Sequence, residues 1–464
     1  MSKSTILSRG FIISTLAFTL TACISMQAPQ PTIKANIPQN FTESDVGKSI
    51  AEQGYKTFFS DPQLLEVIEI ALNNNRDLRV AALNIQRAQQ QYQITKYEQL
   101  PTIGATGNAI RQVNPSVNPN NPYSTFQVGL GLTAYELDFW GRVQSLKDAA
   151  LNNYLATQSA KDSTQISLVS EVAQAWLNYS FAKANLNLAE QTFKTQLDSY
   201  NLNKKRFSVG IDSEIPLRQA QISVETARND VANYKTQVSQ AQNLLNLLAG
   251  QTIPTKLLAQ HPVKMITQET SFSTGLSSDL LQNRPDLKIA EYQLRAAGAN
   301  IGAAKARMFP TITLTGSAGY ASTDLKDLFK SGGFSWSIGP SIDLPIFDWG
   351  TRKANIKTSE IDQKIALSEY EKAIQSSFRE VNDALAARAH IDERLNAQGR
   401  LVSATDTTYI LSTARFKAGI DSYLTVLDAQ RSAYAAQQGL LILKQTKLNN
   451  QIELYKALGG GLKK

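Results

Sequence analysis

The chain is written twice. "FSVGIDSEIPLRQAQIS", starting at Phe207, returns as "FKAGIDSYLTVLDAQRS" at Phe416, an offset of 416 − 207 = 209 residues. The same offset relates "RDLRVAALNIQRAQQQYQITKYEQLPTIGATG" from Arg76 to "PDLKIAEYQLRAAGANIGAAKARMFPTITLTG" from Pro285, with Leu78/Leu287, Pro101/Pro310 and Gly107/Gly316 in step. "DFWG" closes at Gly141 and "FDWG" at Gly350, while Gly250 ends "LLAG" and Gly459 takes the matching place near the C-terminus. A register held that far without an insertion marks a tandem duplication, so the fold is built from two like halves.

Each half reads as helix, strand, strand, long helix, turn, helix. Arg142 to Val209 contains neither Gly nor Pro, and Thr351 to Ala418 contains only Gly399. Within the second stretch Ile374, Phe378, Val381 and Leu385 follow the 4-3-4 spacing of a coiled-coil seam. At 1.5 Å per residue each stretch predicts a helical rod of about 100 Å. Gly210 and Gly419 then serve as C-caps, and Asp212 and Asp421 are placed to N-cap the returning helices.

Four segments predict strands over about 101–113, 125–137, 310–321 and 334–346; three alternate with period two, and the first, from Thr102 to Ala109, is weaker. In "TFQVGLGLTAY", Phe126, Val128, Leu130, Leu132 and Ala134 alternate with Gln127, Gly129, Gly131, Thr133 and Tyr135; "TITLTGSAGY" and "FSWSIGPSIDL" behave alike. An apolar face backed by a small polar face points to a membrane barrel with a wet lumen, a soluble sandwich being the alternative. Pro340 inside the fourth segment needs an edge or a bulge. Strand glycines such as those of "GATGNA" suit a crowded lumen wall. "NPSVNPNNP" (Asn114–Pro122) and "STDLKDLFKSGG" (Ser322–Gly333) suit exposed loops. Four strands cannot close a barrel, so copies must combine; two give little lumen, and three are preferred.

The N-terminus carries Lys3 and Arg9, the apolar run Phe11–Leu20, then Leu-Thr-Ala-Cys. This is signal-peptide grammar, and its ending resembles a bacterial lipobox. That resemblance implies removal of residues 1–22 and lipid on Cys23, the only cysteine, as N-acyl and diacylglycerol groups. Ile24 in place of Asp favours the outer membrane by the same analogy. No later stretch of eighteen apolar residues exists, so a membrane crossing must use strands. The organisation read from these features is a lipidated segment 23–60, repeat 1 at 61–250, a connector at 251–275 and repeat 2 at 276–464.

Enzymatic chemistry finds no footing. The histidines are His261 and His390 alone, and no HExxH, CxxC, P-loop or nucleophile elbow occurs. No catalytic, cofactor or metal site is expected. The formal charge of +8 is dispersed, with Lys204-Lys205-Arg206 its densest cluster, which argues against a nucleic-acid partner.

Together the lipobox, the duplicated unit, "FDWG" after the fourth strand and "YLTVLDAQRS" after the second turn resemble the outer membrane efflux protein family. This is the TolC superfamily, in its OprM-like lipoprotein branch, and the match covers the whole mature chain. The resemblance implies a homotrimer: an outer-membrane β-barrel of four strands per chain, continuous with a periplasmic α-helical coiled-coil barrel, mostly α overall. Its implied partners are a periplasmic adaptor protein, an inner-membrane pump of the resistance-nodulation-division (RND) type and outer-membrane lipid. The implied function is a gated exit duct for drugs. Ducts for heavy-metal efflux or secretion, or a pore-less coiled-coil scaffold, are the alternatives.

Leu424, Asp428 and Arg431 share one helix face, whereas the first copy has Ile215, Gln219 and Ile222 at those places. The resemblance sets the periplasmic gate at this triad. It also implies that adaptor tips dock on the turns Val209-Gly210-Ile211-Asp212 and Ala418-Gly419-Ile420-Asp421.

Overall fold

A computed structural model describes residues 26–33, 54–113, 122–259, 262–267 and 284–460 of the chain. Cys23, the signal segment and most of the 114–122 loop lie outside the described residues. The main elements are α1 (Pro62–Asn74), α2 (Arg76–Tyr97), β1 (Ile103–Gln112), β2 (Tyr123–Glu136), α3 (Arg142–Ser208), α4 (Glu214–Ala249), α5 (Pro285–Ala306), β3 (Thr311–Ser322), β4 (Phe334–Asp343), α6 (Thr351–Lys417) and α7 (Tyr423–Ala457). Both ends of α2 and α5, and both ends of α3 and α6, differ by 209 residues. The fold is mostly α with one small sheet. Contacts divide it into two compact units, each drawing on both repeats.

The first unit, 1–34, 84–158 and 289–371, holds a four-stranded antiparallel sheet in the order β1-β2-β3-β4. Register sorts its side chains. Ala105 pairs with Leu130, Leu130 with Ala318 and Ala318 with Trp336, one apolar row; Thr106–Gly129–Gly319–Ser335 forms a small and polar row beside it. The Ser317 and Ser337 hydroxyls on that polar face meet at 2.9 Å. Within one chain β1 and β4 are the free edges, and Pro340, paired with Leu314, lies on the β4 edge strand.

The bulge lies elsewhere. Leu132 pairs with Gly316 but Tyr135 with Leu314, so two β2 residues stand against one on β3, with Ala134 at φ 43°. The bulge reverses the pleat: Tyr135 joins the apolar face, contrary to the unbroken alternation, and Ala134 drops out of it. It also shows that the 209 offset slips inside the second strand of each repeat. Phe126 and Phe334 share the apolar face although they are 208 apart. The strand glycines divide as well. Gly129 and Gly319 face each other so closely that a Cβ on Gly129 would sit 2.7 Å from the Ala318 carbonyl oxygen. Gly104 and Gly107, in contrast, stand in open space.

The second unit, 35–83, 159–288 and 372–464, is helical. Its core gathers Trp176, Phe58, Phe59, Leu64, Ile68, Leu245 and Tyr455, with the Trp176 indole N–H donating to the Leu257 carbonyl at 2.9 Å. Phe58 stacks on Tyr455 at 4.5 Å, which fastens the short helix Tyr55–Phe58 ahead of repeat 1. Equivalent residues tie the repeats to their own closing helices. The Asn75 amide donates to the Leu248 carbonyl at 2.8 Å, and 209 residues later Arg284 donates to the Ala457 carbonyl at 2.6 Å. Arg284 adds a fork to Asp286 (2.7 and 3.0 Å) and a bond to Glu380 at 2.8 Å.

Candidate functional site

Each long helix ends in the same hook. At the first, the Gly210 amide donates to the Phe207 carbonyl and Ile211 to Arg206; at the second, Gly419 donates to Phe416 and Ile420 to Arg415. This paired 5→2 and 6→1 bonding is a Schellman motif, and it needs φ near +75° at both glycines, the left-handed region where a Cβ is penalised. The C-caps therefore stand as the sequence implies.

The N-caps do not. Ser213 and Ser422 occupy the capping positions, and neither side chain makes a capping bond to a backbone amide of the helix. Asp212 instead takes both forks of Arg206, at 2.5 and 3.3 Å, and Asp421 those of Arg415, at 2.7 and 3.0 Å. A charge-assisted two-pronged bond outcompetes a single neutral amide donor, which is the physical reason for the correction. The hydrogen bond from Arg415 holds the Asp421 carboxyl below the usual carboxylate range. Arg206, notable in the sequence only as part of its densest basic cluster, is a structural clasp. The signal was present: "RF" precedes the turn in both copies.

The two tips of one chain touch. Phe416, Tyr423, Val426, Leu427 and Ala220 form a buried cluster flanked by the repeat-equivalent tyrosines Tyr200 and Tyr409. The Arg206 guanidinium lies 5.0 Å from the Phe416 ring centre, a cation–π contact from the first tip to the second. Burial pushes the Tyr423 hydroxyl up to about 12, Tyr409 adding to the shift and Arg431 opposing it.

Sorting by exposure separates two surfaces. Val209, Ile211 and Ile420 project bare apolar groups from the turns beside Gly210, Ala418 and Gly419. On α7, Tyr423, Val426 and Leu427 belong to the cluster and Gln430 is buried as well, whereas Leu424, Asp428 and Arg431 are exposed together on the outward face. Among the described residues neither Asp428 nor Arg431 enters an ion pair, so the ordinary pairing of neighbours on one helix is not what these charges do.

A single-layer sheet with one lipid-suited and one water-suited face, in a chain whose duplicated hairpins end in exposed tips, defines a subunit of an outer-membrane channel. The chain belongs to the outer membrane efflux protein family: the family model matches residues 67–251 and again 276–460, themselves 276 − 67 = 209 apart. It is 42% identical over 460 residues to the antibiotic efflux pump outer membrane protein ArpC of Pseudomonas putida, covering 97% of this chain and 95% of that one. It is 38% identical to the cation efflux system protein CusC of Escherichia coli (96% and 98% covered). Among solved structures it matches the open state of the MtrE outer membrane channel of Neisseria gonorrhoeae with a TM-score of 0.86 at 38% identity, over 95% of this chain and 99% of that one. The chain is an outer-membrane efflux channel subunit with a periplasmic helical part, and its relatives are channels rather than enzymes.

Proposed function

We propose that three copies join their sheets edge to edge into a barrel of 3 × 4 = 12 strands that serves as the exit duct of a tripartite drug pump. One observation carries this reading: the register assembles a continuous apolar face and a continuous small-polar face on a sheet with two free edges. Closed on itself, such a sheet presents the first face to lipid and keeps a wet lumen lined by Thr, Ser and Gly. A periplasmic adaptor and an inner-membrane RND pump complete the assembly, because the sequence carries no P-loop with which to draw on a nucleotide. The turns Val209–Asp212 and Ala418–Asp421 receive the adaptor, and lipid on Cys23 adds a second hold on the membrane. The organic cargo of the antibiotic-pump relative suits this chain better than the cation of the other. Four methionines and two histidines in the whole sequence leave no relay of soft ligands.

The gate follows from the same assembly. Threefold symmetry gathers three copies of Leu424, Asp428 and Arg431, and charges left without partners in one chain find them across the helix interface. In planar bilayers the purified protein should conduct, and Asp428→Ala or Arg431→Ala should raise single-channel conductance several-fold. A strain lacking the chain should become hypersensitive to amphiphilic antibiotics and recover with the wild-type gene. Unchanged conductance in both variants removes the gate, and hypersensitivity to copper or silver alone replaces the cargo.

A further inference from the structure

The contact between the two tips of one chain runs head to tail. The first tip offers Arg206 and the second offers Phe416; yet each tip owns both residues, since Arg206/Arg415 and Phe207/Phe416 are repeat equivalents. One combination is satisfied and the other is left over. The Arg206 side chain is 23% exposed and Phe416 6%, whereas the Arg415 side chain is 55% exposed and Phe207 42%.

We propose that the seam between copies of this chain reuses the seam between its own repeats, so that Arg415 of one copy lies over Phe207 of the next. The inference rests on the oligomeric reading above and adds the side chains that close the ring. A head-to-tail contact repeated with the same rotation closes into a ring, and the in-chain contact is already of that kind. The docking groups need no new chemistry, because the clasp that holds Arg206 in place, its fork to Asp212, is rebuilt at Arg415 by Asp421. One chain thus displays both a guanidinium fixed by a carboxylate and an exposed aromatic ring that can receive it.

A second place in the chain shows the same pattern. Where repeat 1 meets repeat 2 beside the sheet, the Trp140 indole stacks on Phe309 at 4.7 Å and donates to the Pro310 carbonyl at 2.9 Å. Its repeat equivalents are far more open: Trp349, edge-on to Phe347 at 4.5 Å, is 89% exposed and Leu100 59%. Both half-seams are open in the same sense, with the second-repeat donor and the first-repeat acceptor exposed.

The test uses the full-length chain in outer membranes with Phe207→Cys and Arg415→Cys together, treated with a short bis-maleimide. Dimer and trimer bands should dominate on denaturing gels, against neither band for each single variant. The in-chain pair, Arg206→Cys with Phe416→Cys, should give a monomer of altered mobility and no ladder. Unmodified protein treated with a lysine-reactive cross-linker separates the two levels of the argument. A trimer there with only monomer from the 207/415 pair overturns the seam and leaves the trimer standing, as it would if an adaptor hairpin filled that face. Monomer in both overturns the trimer as well. Should the cysteine pair fail to reach the membrane, a photoreactive benzophenone side chain at 207 must capture a peptide containing Arg415 from an isotopically distinct copy; capture of another peptide overturns the seam.

Discussion

At the scale of single residues, the tip shows how far a local pattern reaches. Gly210 and Gly419 were readable because a helix ended by a left-handed residue selects Gly whatever surrounds it. The partner of Asp421 was not, because an arginine six residues upstream is brought close only after the chain has turned. Bottom-up reading weighs a capping aspartate against its own helix; the winning competitor was a charge on the other side of the turn. The clasp has a pH signature. Since the folded Asp421 carboxyl titrates below its usual range, near 4, the pair contributes its stabilisation fully above that range and loses it as pH falls through the lowered value. Amide exchange at Gly419–Tyr423, corrected for intrinsic rates, should lose protection on acidification from pH 7 to 3. Asp421→Asn should show low protection that no longer varies with pH.

Among elements, the two long helices were legible to within a residue and the strands only by their faces. Stretches with no Pro and at most one Gly favour unbroken helix, so α3 and α6 begin where the stretches begin and stop one residue short of their ends. Period two marked three of the four strands, but a bulge has no compositional mark when the extra residue is Ala134, and the parity of everything after it reverses. The ties at Asn75 and Arg284 escaped notice because unlike side chains do the same work: each gives one donor to a carbonyl at the end of its repeat. Their equivalence can be measured. Arg284→Ala orphans the Ala457 carbonyl and loses the contacts to Asp286 and Glu380, and should destabilise by roughly 2–3 kcal/mol. Arg284→Asn, imitating the first repeat, should recover about half of that. Thermal midpoints in detergent, read by circular dichroism, decide it, and equal losses for both variants would refute the equivalence.

For the whole molecule, the two faces of the sheet set what substitution can do. Ile338, on the apolar face, and Ser337, beside it on the polar face, differ by a single step of pleat. Ile338→Arg should cost roughly 2–4 kcal/mol at mid-membrane depth and sharply lower the amount of assembled protein in outer-membrane fractions. Ser337→Arg should leave that amount unchanged and shift the reversal potential toward anions. The duplication was legible in sequence, since it depends on pattern at long range. That each compact unit draws on both repeats was not, because an offset says what is alike and nothing about what is adjacent. The likeness itself carries a genetic consequence. A half-length chain assembled six times changes every tip when it changes one codon. Two copies in one reading frame leave the two tips separately heritable, and the charges at 428 and 431 stand where the first copy has Gln219 and Ile222.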